Sequence, residues 1–261
     1  MKELIEKIKH KKGFICDMDG VIYHGNKLLP GVIEFVQWLV DEKKEFLFLT
    51  NSSERTPQEL SDKLRRLGIE VDEKVFYTSA LATAAFLSSQ KPNGSAYIIG
   101  EAGLINALYN VGYTMNNVDP DYVIVGDTHS YNFEKITQAV NLVLKGAKLI
   151  GTNPDTTGPV EGGIMPATKA LISPIEIATG KKAYYVGKPN PLMMRIALKR
   201  INCSNEETII IGDRMDTDII AGIESEIDTI LVLSGITTRE TIHNYPFRPD
   251  YVLNGVIDII S

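Results

Sequence analysis

The sequence has few of the features that mark several large classes of protein. It has only two cysteines, Cys16 and Cys203, with no CxxC motif and no paired histidines nearby. Neither a disulfide framework nor a cysteine-based zinc site is therefore indicated. No apolar run approaches the roughly 18 residues that a membrane-spanning helix needs. Because the first dozen residues also lack a signal-peptide pattern, we expect a cytoplasmic protein with reduced thiols.

Positive charge is scarce as well. The chain has 27 Lys and Arg against 33 Asp and Glu, a net charge of −6, and it contains no arginine between Leu67 and Met194. Proteins that bind nucleic acid or anionic membranes need basic patches, so we expect neither partner. The motifs GxSxG and GxxxxGK[ST] are also missing, which gives no support to a serine hydrolase or a P-loop enzyme.

The sequence does contain a regular alternation of two patterns. Short β-branched runs such as GFIC, EFLFLT, SAYIIG, DYVIVG, AYYVG and TIIIG alternate with amphipathic helical segments. This alternation is typical of βαβ units and of a parallel sheet. The runs are too many for one small domain, and turn-rich stretches near Tyr77 to Ala80 and near Gly180 to Lys182 are the expected domain boundaries.

Several helix boundaries can be predicted from capping residues. Thr56, Pro57 and Glu59 form a capping box with proline at the first helical position. Apolar residues between positions 32 and 40 recur at helical spacing, which predicts a helix with one buried face. Further helices are predicted between Asn132 and Gly146 and after the Asn190-Pro191 pair.

Four groups of polar residues follow directly after strand-like runs. Each group alone is weak evidence, since acidic turns, helix caps and exposed lysines are common. Four strands of one parallel sheet would, however, bring them to a common edge, where open α/β sheets bind ligands. The groups are Asp17 with Asp19; Thr50 with Asn51, Ser52 and Ser53; Lys188; and Asp213 with Asp216 and Asp218.

These residue types together suit phosphoryl chemistry. Carboxylates that are brought together raise one another's pKa unless a cation neutralises them. Mg²⁺ prefers one or two carboxylates with water and substrate phosphate, while lysine and threonine suit the phosphate itself. A carboxylate in such a site can attack phosphorus and form an aspartyl-phosphate. Spacing alone does not say which aspartate attacks.

The motifs DMDGVIYHG, FLFLTNSS, VGKPNP and GDRMDTDI, in that order, resemble the four motifs of the haloacid dehalogenase (HAD) superfamily of phosphatases. The longer patterns DxDGVxxxG, GTNPD, GKPxP and GDRxxTDI resemble its NagD-like, p-nitrophenyl-phosphatase-like branch with a type IIA cap. The resemblance covers essentially the whole chain. It implies an α/β fold: a Rossmann-like parallel-sheet core of residues 1–79 and 182–261, with an inserted smaller α/β cap of residues 80–181.

The resemblance also implies roles for the acidic residues. Asp17 is expected to be the nucleophile, and Asp19 the general acid that protonates the leaving oxygen and then the base that activates water. The cofactor Mg²⁺ is expected on the Asp17 carboxylate, the main-chain carbonyl of Asp19, and Asp213. Asp218 is expected to support this site from behind the direct ligands.

The remaining residues imply how a small-molecule phosphomonoester is bound. Thr50 and Asn51 are expected to hydrogen-bond the phosphoryl oxygens, and Lys188 to offset the negative charge. A cap without arginine has no bidentate clamp for a second anionic group. We therefore predict sugar or polyol phosphates as substrates, with phosphoglycolate disfavoured. The resemblance also implies activity on p-nitrophenyl phosphate.

Several alternatives stay open at this point. A nucleotide or phosphoglycolate phosphatase would use the same chemistry, and a phosphotransferase would pass the phosphoryl group from the same intermediate to an alcohol. A non-catalytic binding module would keep the fold alone, but the complete set of Asp17, Asp19, Thr50, Lys188 and Asp213 argues against it. Homodimer formation is left open.

Overall fold

The computed structural model describes residues 2–160 and 162–261, which form two compact units. The first unit contains the chain up to Thr50, Leu60–Tyr77 and Lys188–Ser261. The second contains Asn51–Glu59 and Thr78–Gly187. These limits assign three short segments, 51–59, 78–79 and 182–187, to the second unit, whereas the sequence predicted a core of 1–79 and 182–261 and a cap of 80–181. The predicted domain boundaries stay a prediction.

Helices and strands alternate along most of the chain. In chain order they are α1 (Lys2–His10), β1 (Gly13–Cys16), β2 (Tyr23–His24), β3 (Lys27–Leu28), α2 (Val32–Asp41), β4 (Glu45–Thr50), α3 (Pro57–Arg66), β5 (Phe76–Thr78), α4 (Ser79–Gln90), β6 (Ser95–Ile99), α5 (Ala102–Asn110), β7 (Thr114–Met115), β8 (Tyr122–Val125), α6 (Phe133–Lys145), β9 (Lys148–Gly151), β10 (Thr157–Val160), β11 (Gly163–Pro166), α7 (Thr168–Thr179), β12 (Tyr184–Tyr185), α8 (Pro191–Ile201), β13 (Thr208–Gly212), α9 (Ile220–Glu224), β14 (Asp228–Val232), β15 (Tyr251–Leu253) and α10 (Ile257–Ile260). A π-helical turn, Met215–Ile219, precedes α9.

The first unit is built on a six-stranded sheet with the strand order β15-β14-β13-β1-β4-β5. Strand β1 lies inside the sheet and pairs in parallel with both β13 and β4. All residues of β1 and β13 are buried, as expected for parallel strands that helices cover on both faces. The predicted parallel-sheet core is confirmed.

Helix α2 shows how this sheet is covered. The buried face of the helix includes Val32, Phe35 and Leu39, as its apolar spacing predicted. The rings of Phe35 and Trp38 contact Phe14 of β1, with centroids 6.5 and 5.4 Å away. These aromatic contacts hold the helix against the strand that leads to Asp17.

The second unit has its own sheet, with the strand order β12-β9-β8-β6-β7, and a separate β10–β11 hairpin. Each of the four strand pairings in this sheet is parallel. Helix α6 has the predicted ends, since the Asn132 side chain accepts a hydrogen bond from the Lys135 amide and the helix stops at Gly146. None of the helices in the described part of the chain is long and apolar enough to cross a membrane.

Strand β12 corrects one detail of the sequence interpretation. The run AYYVG was expected to supply a strand to the same sheet as the aspartates. Instead, Tyr184 and Tyr185 pair with Ile150 and Gly151 of β9 in the second sheet. Lys188 therefore lies on the link between an edge strand of the second sheet and helix α8. A two-residue strand carries too little pattern for the sequence to show which sheet it joins.

Candidate active site

Three carboxylates meet at the ends of neighbouring strands in the first unit. Asp17 follows β1 and Asp213 follows β13, and the Asp17 amide donates to the carbonyl of Ile211 at 2.8 Å. Asp218 comes from the π-helical turn, a local widening of the helix that is frequent at functional sites. One carboxylate oxygen each from Asp17, Asp213 and Asp218 lies within 4.8 Å of the others. We call these three residues the carboxylate cluster.

Lys188 supplies positive charge to the carboxylate cluster. Its ammonium donates to Asp17 Oδ1 at 2.8 Å, to Asp218 Oδ1 at 2.6 Å and to the Leu49 carbonyl at 3.2 Å. The side chain is 2% exposed. The Asn190 side chain caps α8 just beyond it, accepting from the Leu192 amide at 3.0 Å, so the backbone behind Lys188 is held in place.

Burial and mutual repulsion shift the pKa values of the cluster. Burial raises the pKa of Asp17 well above its usual value, and the Asp218 and Asp213 carboxylates raise it further, whereas Lys188 lowers it. Burial, with repulsion from Asp218, raises the pKa of Asp213 to about 7. Burial alone would lower the pKa of Lys188, but the Asp17 and Asp218 carboxylates outweigh it and raise that pKa. One lysine thus faces three carboxylates, which leaves the cluster short of positive charge.

The carboxylate cluster suits a hard divalent cation, because its ligand atoms are all oxygens. Asp213 is oriented by the Ile236 amide, which donates to its Oδ2 at 2.7 Å. Glycines make room for this side chain: a Cβ on Gly20 or Gly235 would lie 2.5 or 2.0 Å from Asp213 Oδ2. The residues that are present therefore fit the metal expected in this region.

Asp19 and Thr50 lie near the ends of strands β1 and β4. Asp19 is half-buried in a turn that follows Asp17, closed by a hydrogen bond from the Ile22 amide to the Met18 carbonyl at 2.8 Å. Thr50 is buried at the end of β4, next to Leu49, whose carbonyl contacts Lys188. Strands β1, β4 and β13 thus lead to four of the predicted residues, Asp17, Asp19, Thr50 and Asp213. Lys188 contacts the first of these through its ammonium.

Asn51 belongs to the second unit by its contacts. Its side-chain amide donates to Asp155 Oδ2 at 3.1 Å. Its carbonyl accepts from the Ser79 hydroxyl at 2.5 Å and from the Asn153 amide at 2.8 Å. The sequence had marked Asn153 and Asp155 only as part of the GTNPD pattern, and had given them no role.

The sequence reasoning missed Asp127 altogether. Its carboxylate accepts five hydrogen bonds from Ser53, Asn153 and Thr168. A signal was present, because Asp127 follows the parallel strand β8, and polar residues at such strand ends often serve a site. The signal was not used because Asp127 lies in no motif with the other aspartates.

The first unit combines a parallel sheet, an aspartate directly after an inner strand, two more carboxylates and a buried lysine. This combination is typical of one class of protein. The family model described as haloacid dehalogenase-like hydrolase matches residues 14–114, and a HAD-hydrolase-like model matches residues 185–259. The chain belongs to the haloacid dehalogenase-like hydrolases. Members of this family generally use a divalent metal, which agrees with the carboxylate cluster.

Relatives place the chain among the phosphatases of this family. It is 47% identical to dihydroxyacetone phosphatase from Corynebacterium glutamicum, over 94% of this chain and 90% of that protein. It is 44% identical to the ribonucleotide monophosphatase NagD of Escherichia coli K12, over 95% and 98% of the two chains. The solved NagD structure superposes with a TM-score of 0.89. The 4-nitrophenylphosphatase of Thermotoga maritima, 31% identical, superposes with a TM-score of 0.93 over 97% of both chains.

These matches confirm the predicted family, its NagD-like branch and the fold. They also establish the enzyme class: the chain is a HAD phosphatase, a phosphoric monoester hydrolase.

Proposed function

We propose that the protein is a Mg²⁺-dependent phosphatase of small sugar or polyol monophosphates that works through an aspartyl-phosphate on Asp17. The observation that carries the proposal is the buried carboxylate cluster, in which Asp17 shares a lysine with Asp218 at hydrogen-bond distance. A nucleophilic carboxylate must be ionised, and burial works against ionisation. Lys188 supplies part of the charge that keeps Asp17 ionised.

In the first step, one carboxylate oxygen of Asp17 attacks phosphorus, and the bond from phosphorus to the leaving oxygen breaks. Asp19 gives its proton to that oxygen, so that an alcohol departs. In the second step, Asp19 takes a proton from water and the water oxygen attacks phosphorus. The bond from Asp17 to phosphorus then breaks and inorganic phosphate is released, which returns both aspartates to their starting state.

The other residues hold charge in place during both steps. Thr50 and Asn51 donate hydrogen bonds to phosphoryl oxygens, and Lys188 offsets the negative charge that gathers at Asp17. Mg²⁺ would be held by the Asp17 carboxylate, the Asp19 carbonyl and Asp213, and would supply further charge neutralisation at the phosphoryl group. Asp218 acts through Lys188, which it holds at 2.6 Å.

Two observations support small sugar or polyol phosphates as substrates. The segment 80–181, proposed as the cap, contains no arginine, so it has no bidentate clamp for a second anionic group. Relatives include a dihydroxyacetone phosphatase and the acid sugar phosphatase of Staphylococcus saprophyticus, which is 35% identical. Nucleoside monophosphates are the second candidate, favoured by the similarity to the ribonucleotide monophosphatase NagD. A cytoplasmic location and homodimer formation stay predictions.

The test is Mg²⁺-dependent phosphate release from p-nitrophenyl phosphate and from a panel of sugar, polyol and nucleoside monophosphates and phosphoglycolate. Asp17→Asn removes the nucleophile, so kcat is expected to fall on the order of 10³-fold or more. Asp216→Asn is the matched control, because Asp216 lies near Asp213 and Asp218 but is exposed and paired with Arg214. It is expected to keep wild-type activity.

Two results would contradict the proposal. If the folded wild-type protein hydrolyses no monophosphate in the presence of Mg²⁺, the proposed hydrolase activity is contradicted. A clear preference for phosphoglycolate over sugar phosphates would leave the chemistry intact but overturn the substrate class.

A further inference from the structure

The segment Asn51–Ser53 is held by a network of hydrogen bonds within the second unit. Ser53 is fully buried, and its hydroxyl accepts from the Asp127 amide at 2.9 Å. The Ser53 amide and hydroxyl in turn donate to Asp127 Oδ2 at 3.2 and 3.3 Å. The chain passes close to the end of β8 here, since a Cβ on Gly126 would lie 2.6 Å from the Ser53 hydroxyl oxygen.

The Asp127 carboxylate joins this segment to two further elements. Its Oδ2 also accepts from the Asn153 amide at 3.2 Å. Its Oδ1 accepts from the Thr168 amide and hydroxyl, at the start of α7, at 3.1 and 2.9 Å. All five of these donors are neutral, and hydrogen bonds from neutral donors to an ionised carboxylate are stronger than those between neutral groups.

The same network fixes Asn51. Asn153, held by Asp127, donates its side-chain amide to the Asn51 carbonyl at 2.8 Å. Ser53, also held by Asp127, lies two residues further along the chain. Asn51 is therefore constrained from both sides by partners of one carboxylate, while its own side chain contacts Asp155.

We propose that Asp127 is a positioning residue that holds the segment Asn51–Ser53 in one conformation, so that Asn51 is preorganised to bind phosphate. The inference rests on the proposed role of Asn51 in binding phosphate. It assigns a function in phosphate recognition to a residue that lies outside the four motifs. Asp127 acts through Ser53 and Asn153 and does not itself touch the substrate.

Asp127→Asn is the informative variant. An asparagine keeps one acceptor oxygen and presents an NH₂ group in place of the other. Whichever way the amide turns, either Thr168 or the Ser53 and Asn153 donors then face a donor.

The chain offers a close control in Asp121→Asn. Asp121 precedes β8, accepts from the Ser95 amide and hydroxyl at 2.8 and 3.0 Å, and donates its own amide to the Ser95 hydroxyl at 3.2 Å. It makes the same three bonds to a serine in the same unit, but none to Asn51–Ser53.

Three measurements compare the two variants with the wild type. Trypsin cleavage after Arg55, an exposed residue two positions beyond this segment, is followed by mass spectrometry and reports local mobility without requiring catalysis. The inhibition constant of inorganic phosphate and kcat/KM for p-nitrophenyl phosphate report phosphate recognition. We expect Asp127→Asn to speed cleavage after Arg55 and to raise the inhibition constant of phosphate about 10-fold or more. In an Asn51→Ala background, we expect Asp127→Asn to cause little further loss of phosphate inhibition or of kcat/KM. Asp121→Asn is expected to change none of the three.

The outcomes separate this inference from the proposed function. Unchanged cleavage after Arg55 in Asp127→Asn overturns the inference, even if the enzyme hydrolyses its substrates as proposed. Faster cleavage with unchanged phosphate inhibition also overturns it, because the segment would then be held for stability alone. If the wild type is an active phosphatase, the double variant gives a further test. If the losses of kcat/KM in Asp127→Asn and Asn51→Ala, expressed as free energies, simply add in the double variant, Asp127 does not act through Asn51.

Discussion

Replacing Lys188 with methionine tests how the first unit tolerates its buried charges. The ammonium is 2% exposed and contacts Asp17 and Asp218 at 2.8 and 2.6 Å. Methionine fills a similar volume without charge, so two buried carboxylates lose their shared partner while Asp213 still repels them. Removing one partner of a buried ion pair costs about 3–5 kcal/mol, because the remaining charge stays uncompensated. We expect the free energy of unfolding to fall by this amount in the absence of divalent cations.

The measurement is urea unfolding in the presence of a chelator, followed by the fluorescence of Trp38. This is the one tryptophan of the sequence, and it packs on Phe14 and Phe35 in the first unit. Lys12→Met is the control, since Lys12 makes an exposed ion pair with Glu207, and such pairs contribute little. A loss for Lys188→Met below about 1 kcal/mol, the range of surface pairs, would refute the view that the cluster depends on this lysine.

Two further predictions concern the divalent cation. Mg²⁺ is expected to raise the thermal unfolding midpoint, and to raise it more at pH 8 than at pH 6. The pKa of Asp213 is raised to about 7, so protons compete with the metal for this carboxylate below that pH and dissociate from it above that pH. Equal increases in the unfolding midpoint at both pH values would contradict this prediction. Gly235→Ala places a Cβ 2.0 Å from Asp213 Oδ2, and we expect Mg²⁺ affinity by calorimetry to fall about 10-fold or more. Gly255→Ala is the control, because nothing lies within 4 Å of a Cβ at that position, and it should bind Mg²⁺ with the wild-type affinity. An unchanged Mg²⁺ affinity in Gly235→Ala would show that Asp213 does not bind the metal.

The sequence predicted the parts of the fold that depend on local pattern. Buried parallel strands are continuous apolar runs, which is why β1 and β13 were visible as GFIC and TIIIG. The helix from Phe133 to Lys145 was visible from its asparagine cap and the glycine that follows it. The order of the four motifs was enough to indicate the family, because their residue types and their order together resemble the HAD pattern.

The tertiary structure alone showed which elements meet. The sequence expected Lys188 behind a strand of the first sheet, but β12 pairs with β9 in the second sheet, and two residues carry too little information to choose a partner. It did not show that Asn51–Glu59 packs with the second unit, nor that Asp127 holds Ser53 across 74 positions of the chain. Local spacing records helices, strands and caps. Which distant side chains satisfy a buried carboxylate depends on how the whole chain packs, and no local pattern contains that.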